Sequence, residues 1–202
     1  MALNKDQIVE EALRLLNEVG LEGVTLRALA KRLGVQAPTL YWHFKNKAAL
    51  INAMAEGILQ SEFKGLRPRG SDETWQEWLI DVLNRLRKAM LSYTDGGRVV
   101  AGAHLCSTLL DVSEVAIRTL YTSGVSLRES RLIVLTAIHF TFGQVIEEQT
   151  PLVTDMTEDF DMEQFKKDHP TLVAGIEEYF SAGHTADDLF NDGLRLIVHS
   201  GV

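Results

Sequence analysis

With 202 residues, 46% hydrophobic and 24% charged, the chain can bury one sizeable core or a small domain beside a larger one. Its formal charge of -8 opposes a broadly basic, nucleoid-like protein, yet residues 1–47 carry seven Lys or Arg against five Asp or Glu, which leaves -10 for the rest. The single cysteine, Cys106, excludes a disulfide framework. The richest apolar run, 132–143, is interrupted by Thr136, His139 and Thr141 and falls short of the roughly 20 residues of a membrane span. MALNKDQ has no signal-peptide hydrophobic region, so the cytoplasm is the expected compartment and no membrane partner is expected.

Asn4 is placed to cap a first helix over 5–19, with Ile8, Ala12, Leu15, Leu16 and Val19 along one stripe and Gly20 as its stop. The stretch TLRALAKRLGVQAPTLYWHFKNK, 25–47, follows. Thr25 caps a short helix whose inner face is Leu26, Leu29, Ala30 and Leu33, leaving Arg27, Lys31 and Arg32 for solvent or phosphate. Gly34 suits the turn, and a second helix starts near Gln36 or Ala37, with Pro38 early enough that its missing amide proton costs little. This is a helix-turn-helix pattern. Thr39, Tyr41, Trp42 and His43, beside Lys45 and Lys47, form a polar and aromatic binding face, although Tyr41 and Trp42 also suit packing of a small domain. Leu40 and Phe44 read as core.

From Asn46 a helix with Leu50, Met54, Ile58 and Leu59 on one side runs out before Pro68, and the loop composition KGLRPRGSD follows. With no linker after Lys47, this helix is expected to join the first unit rigidly to the rest. Ser71 or Asp72 is the expected cap of a helix over 73–93, with Trp75, Leu79, Val82, Leu86 and Met90 inward, broken by Asp95-Gly96-Gly97. A short segment to about Gly102 leads to a helix over 107–121 with Leu110, Val112, Val115 and Leu120, then a long one from Ser126 to about Gln149. That long helix has no broad polar side, so both faces are expected to be covered, one of them in a dimer. The acidic stretch 150–170 reads mainly as a connection, with a possible short turn at 162–167. Helices over 171–180 and 185–199 end the chain, the last with Leu189, Phe190, Leu194 and Ile197 in a stripe and Gly193 for close approach. Period-two runs are absent. The fold class is therefore all-α: a helix-turn-helix domain over 1–46 and a larger helical core over 47–202.

The signature over 25–47, with WQEWL, YTDGGRV, GVSLRES and HFTFGQVIEEQ further along, resembles the tetracycline repressor family of bacterial transcriptional regulators over nearly the whole chain. The resemblance implies a homodimer that binds double-stranded operator DNA through 1–46 and a small-molecule effector through 47–202, which becomes an effector-binding and dimerisation core with a four-helix interface built from about 127–149 and 185–199 of each subunit. It implies that Arg27 reads a base, and that Gln36, Ala37, Pro38, Thr39, Tyr41, Trp42 and His43 stand at DNA-facing positions. Thr25, Thr39, Trp42, His43 and Lys47 are the expected phosphate contacts. Gln36 and Ala37 stand where the family's tetracycline-binding members have an acidic residue and an adenine-reading glutamine, which points to a different operator.

For the effector, the resemblance implies a pocket bounded by Phe63, Val82, Leu86, Met90, Val100, His104, Leu105, Ala116, Leu120, Ile138, His139 and Glu147. The positions that hold a drug–magnesium chelate in tetracycline-binding members are Val100, Ala103 and Glu147 here, and Val100 and Ala103 have no donor for a divalent ion. Neither a metal nor a cofactor is expected, and the ligand is expected to be largely apolar. His139 as an ordinary core histidine and Glu147 as a dimer ion pair are the competing readings. The six histidines make no short metal motif, and no Ser or Cys lies in a nucleophile motif, so an enzyme is not expected. Repression and activation both fit the sequence, with repression preferred.

Overall fold

The computed structural model describes residues 3–150 and 161–199, and among these every regular element is a helix. Helix α1 (Lys5–Gly23) opens with a reciprocal cap: Asn4 Oδ1 accepts from the Gln7 amide at 2.8 Å, and the Gln7 side chain accepts from the Asn4 amide at 3.2 Å. Its helical backbone breaks at Gly20, where φ is +68°, a conformation that glycine adopts without a Cβ clash. Ile8, Ala12, Leu15 and Leu16 are buried as the stripe predicts, whereas Val19 is left half exposed.

Helices α2 (Leu26–Arg32) and α3 (Ala37–His43) turn about Gly34, φ +67°. Thr25 Oγ1 accepts from the Ala28 amide at 3.0 Å, which starts α2, and Pro38 sits in the first turn of α3. Leu26, Leu29, Ala30, Leu40 and Phe44 are buried in the same core as Ile8 and Leu16 of α1. Helix α4 (Lys47–Phe63), capped by Asn46 through the Ala49 amide at 2.8 Å, packs on α1 and also on the helices that follow. It spans both parts of the molecule without a break.

The remaining helices are α5 (Trp75–Leu91), α6 (Gly96–Ala101), α7 (Ser107–Thr122), α8 (Leu127–Gln149), α9 (Met162–Asp168), α10 (Pro170–Ser181) and α11 (Ala186–His199). Helix α8 is the axis of the core and packs against α5, α6, α7 and α11. Gly193 lets α11 close on α8: a Cβ there would lie 2.4 Å from the Phe140 ring, which stacks on Phe190 at 5.7 Å.

Several expectations need correction. The cap of α5 is Thr74 rather than Ser71 or Asp72, because only Thr74 has Glu77 three residues on to complete a capping box. Trp78 rather than Trp75 is the fully buried tryptophan, and its Nε1 donates to the Arg67 carbonyl at 3.1 Å. Leu110 is exposed. Part of the expected connection is helical, since Met162–Asp168 forms α9 with Asp161 as its cap, whereas residues 151–160 of that stretch lie outside the described residues. One face of α8 is covered within the chain, and the other, expected to be covered in a dimer, carries Leu132, Thr136, His139, Gly143 and Glu147 as an exposed stripe at helical spacing.

Candidate nucleic-acid interface and effector core

The face predicted to meet DNA is built by α2, the Gly34 turn and α3. Leu40 and Phe44 anchor α3 inward, so the residues between them project away from the core. Trp42 is 90% exposed and Tyr41 53%, while Arg27, Gln36, Pro38 and Thr25 are also exposed and Ala37, Thr39 and His43 are half-buried. An indole left almost wholly in water gains no burial from the chain itself, which sets Trp42 apart from packing residues.

The basic residues divide into two groups. Arg32, expected to be free, is held by Glu11 and by a two-pronged contact with Glu18, with Nη2 at 2.6 Å from Glu18 Oε1. The hydrogen bonds that Arg32 donates to Glu18, then to Glu11, raise its pKa further, and the bond from Arg32 holds Glu18 below the usual carboxylate range. Arg14 is likewise paired with Glu10 and Glu11. Lys5 lies 5.5 Å over the Phe44 ring. Lys47 donates to the Leu21 carbonyl at 3.4 Å, so it closes the end of α1 while remaining exposed. Arg27 and Lys31 of α2 and Lys45 just after α3 are exposed cations of this face.

The residues predicted for the effector pocket separate into two sets. Phe63, Val82, Leu86, Met90, Val100, Ala116, Leu120 and Ile138 are buried and packed together between α4, α5, α6, α7 and α8. His104, Leu105, His139 and Glu147 are exposed, the last two on the outward stripe of α8. His139 and Glu147 do share a face, as their eight-residue spacing predicts, but that face points away from the buried set. A groove of about 740 Å³ lies elsewhere, between α1 and α4, and shares only Leu105 with the predicted lining.

Three contacts that sequence reasoning missed tie these parts together. Asp95 Oδ2 accepts from the Leu21 amide at 2.7 Å, joining the start of α6 to the end of α1. Glu56 of α4 accepts from the Thr108 amide at 3.1 Å and hydroxyl at 2.5 Å, and so caps α7 from another helix. Gln149 of α8 donates to the Met90 and Tyr93 carbonyls at 3.2 and 2.7 Å and accepts from the Gly97 amide at 3.0 Å. Among the described residues no group of three or more His, Cys, Asp or Glu is arranged to hold a metal ion, and no helix is long and apolar enough to cross a membrane.

A small helical head with an exposed basic and aromatic face, fixed by one continuous helix to a larger helical core, defines a helix-turn-helix transcriptional regulator. Residues 8–54 match the family model of bacterial regulatory proteins of the tetR family, and residues 67–202 match the tetracyclin repressor-like C-terminal domain. The class A tetracycline repressor protein from transposon 1721 of Escherichia coli is 38% identical over 97% of this chain and 89% of its own length. The class D protein of Escherichia coli is 39% identical over 76% of this chain and 71% of its own. Among solved structures, a TetR variant from Acinetobacter baumannii AYE in complex with minocycline superposes with a TM-score of 0.74 at 32% identity, covering 98% of this chain and 96% of that one. BioQ with its double-stranded DNA operator superposes with a TM-score of 0.64 at 28% identity, covering 86% and 98%. The chain belongs to the tetR family of DNA-binding transcriptional regulators, and it is a regulator rather than an enzyme.

Proposed function

We propose that this chain is a homodimeric repressor that leaves a palindromic operator when a small, largely apolar ligand enters its core. The observation that carries this reading is the continuity of α4. One unbroken helix leaves the DNA-facing head at Lys47 and ends in the apolar core at Phe63, so a change in its tilt moves the head. Two heads related by a two-fold axis reach successive major grooves roughly 34–36 Å apart, and a tilt of α4 mis-spaces them. Arg27 takes a guanine edge, Gln36 a further base edge, Pro38 and Tyr41 a thymine methyl or sugar, and Thr25, Thr39, Trp42, His43 and Lys47 grip phosphate.

The apolar character of the ligand follows from the buried lining of Phe63, Val82, Leu86, Met90, Val100, Ala116, Leu120 and Ile138, which has no charged group. These side chains pack against one another, so a ligand binds by displacing them and favours whichever arrangement of α4 accommodates it. His139 and Glu147, with Leu132 of α8 and Leu189 and Leu196 of α11, lie on the surface that a second subunit covers, and they reach an effector only across that interface. A relative of this chain is known in complex with 5a,6-anhydrotetracycline and magnesium. Val100 is buried and carries no metal donor, which opposes the same chelate as the signal here.

Selection of operators from random sequence with purified protein tests the reading first. A palindrome with half-sites one helical turn apart is expected, and ligands that bind the core are expected to lower affinity for it. Recovery of unrelated single sites, or core-binding ligands that all leave operator affinity unchanged, overturns it.

A further inference from the structure

We infer that the groove between α1 and α4 is a second ligand site, one that takes a lipophilic organic cation. This inference rests on the chain being a ligand-responsive regulator, and it adds a site distinct from the apolar core. The groove is open to solvent along one side and has a volume of about 740 Å³, room for a drug-sized molecule. Its floor is a row of small residues on α4, Ala49, Ala53 and Gly57, spaced four apart so that they share one face. Gly57 lies so close to α1 that a Cβ would sit 3.1 Å from both Val9 and Leu13. These apolar walls, with Leu105 at the far rim, suit a flat or globular hydrocarbon body.

The charged lining selects the sign of the guest. Asp6, Glu10 and Glu56 supply three carboxylates, whereas Lys5 is the one cation among the described residues of the lining and sits over the Phe44 ring. Glu10 is shared with Arg14, and Glu56 is the group that caps α7 through Thr108. A cation seated beside Glu56 competes for the carboxylate that ties α4 to α7. The same groove touches the head through α1 and the core through Tyr93, Leu105 and Ser107. Occupation therefore loosens the tie at the helix that carries the head.

Tetraphenylphosphonium and tetraphenylborate, similar in size and opposite in charge, are the probes. Calorimetric titration of the full-length protein without DNA is expected to show the phosphonium binding at least tenfold more tightly than the borate. The surface double variant Asp6→Asn/Glu10→Gln is expected to weaken phosphonium binding about tenfold, the scale of two partly screened charge contacts. Ala53→Phe is expected to abolish binding by filling the floor. Equal affinity for the two ions, or an unchanged affinity in the double variant, overturns the site.

Anisotropy with the selected operator then reads the coupling. The phosphonium is expected to weaken operator binding in wild type and to lose that effect in Glu56→Gln. Binding without any effect on the operator overturns the competition at Glu56. A protein that selects no operator overturns the repressor reading instead, while calorimetry still decides the groove.

Discussion

The Asp95 carboxylate accepts the Leu21 amide proton at 2.7 Å, so the residue that starts α6 holds the backbone just after the break in α1. Asp95 sits at φ +54°, in the left-handed region that few residues tolerate, and Asn and Asp are among those few. The neighbours reinforce this junction: the Thr94 amide donates to Asn17 Oδ1 at 2.9 Å, and Arg98 pairs with Glu22 at 2.7 Å. Head and core thus meet at two places, along α4 and across this α1–α6 seam.

Asp95→Ala removes the acceptor from a half-buried amide and places a Cβ-bearing residue without a local hydrogen bond in the left-handed region. It is expected to lower stability by about 1–3 kcal/mol, measured by urea denaturation. Asp95→Asn keeps both the acceptor and the backbone tolerance and is expected to recover most of that loss. Equal stability of the Ala and Asn variants would sink the assignment.

The two arginines of α2 are expected to behave differently. Arg27→Ala, which removes a free guanidinium from the exposed face, is expected to weaken operator binding by about 1–3 kcal/mol if the contact is bidentate to guanine. Arg32→Ala is expected to leave sequence preference unchanged, because its guanidinium is engaged by Glu11 and Glu18. Lys31→Ala is expected to weaken all sequences alike and reduce the slope of log affinity against log salt by about 1. Titrations at several salt concentrations separate the three.

Gly193→Ala drives a methyl into the Phe140 ring, whose stacking partner Phe190 is fully buried. A cost of about 1–3 kcal/mol is expected from overpacking. Phe140→Leu in the same chain is expected to return part of it, so a double-mutant cycle shows coupling between the two positions. Strict additivity would mean that α11 and α8 are not in close contact there.

The caps and turn at Asn4, Thr25 and Gly34 were legible in the sequence because each depends on partners within a few residues. The cap of α5 was not, since Ser71, Asp72 and Thr74 are all suitable residue types and only the reciprocal bond from Glu77 chooses among them. The contacts of Asp95 with Leu21 and of Glu56 with Thr108 cross 74 and 52 residues, and no local pattern announces either. Periodicity put His139 and Glu147 on one side of α8 correctly but could not say whether that side faces the core or a second subunit. Arg32 shows the same limit: its exposure was legible, and its carboxylate partners on α1 were not.

The exposed stripe of α8 and the outer face of α11 give a direct test of assembly. Leu196 is 74% exposed in one chain, and Leu132 and Leu189 are exposed nearby in the α8–α11 pair. Leu196→Glu is expected to shift the protein to monomer in sedimentation and to abolish binding to a palindrome while leaving the helical signal intact. A Leu196→Glu protein that remains dimeric would remove this face from the interface.

Cys106 offers a final check, on the junction between α4 and α7. Its side chain is buried, with Sγ 3.4 Å from Glu56 Oε2, and burial followed by the adjacent carboxylate pushes the thiol pKa from 9.0 up to about 11. The thiolate is the reactive form, so alkylation by iodoacetamide at pH 8 is expected to be about a hundredfold slower than for an ordinary exposed thiol, and to become fast in urea. The sign of the linkage follows: between about pH 9 and 11 the unfolded thiol ionises while the folded one keeps its proton, so stability falls as pH rises through that window. Glu56 runs the other way. Burial raises its pKa, but hydrogen bonds from Thr108, Cys106 and the Ser107 backbone outweigh this and hold it below 4.5, so its contribution is present above that pH and is lost as acid protonates the folded carboxylate. Glu56→Ala is therefore expected to quicken Cys106 labelling by opening the start of α7, and by more than the loss of a charge that disfavours the thiolate gives alone. A labelling rate that tracks only the lost charge and is matched by Glu56→Gln would show that the cap does not hold α7 closed.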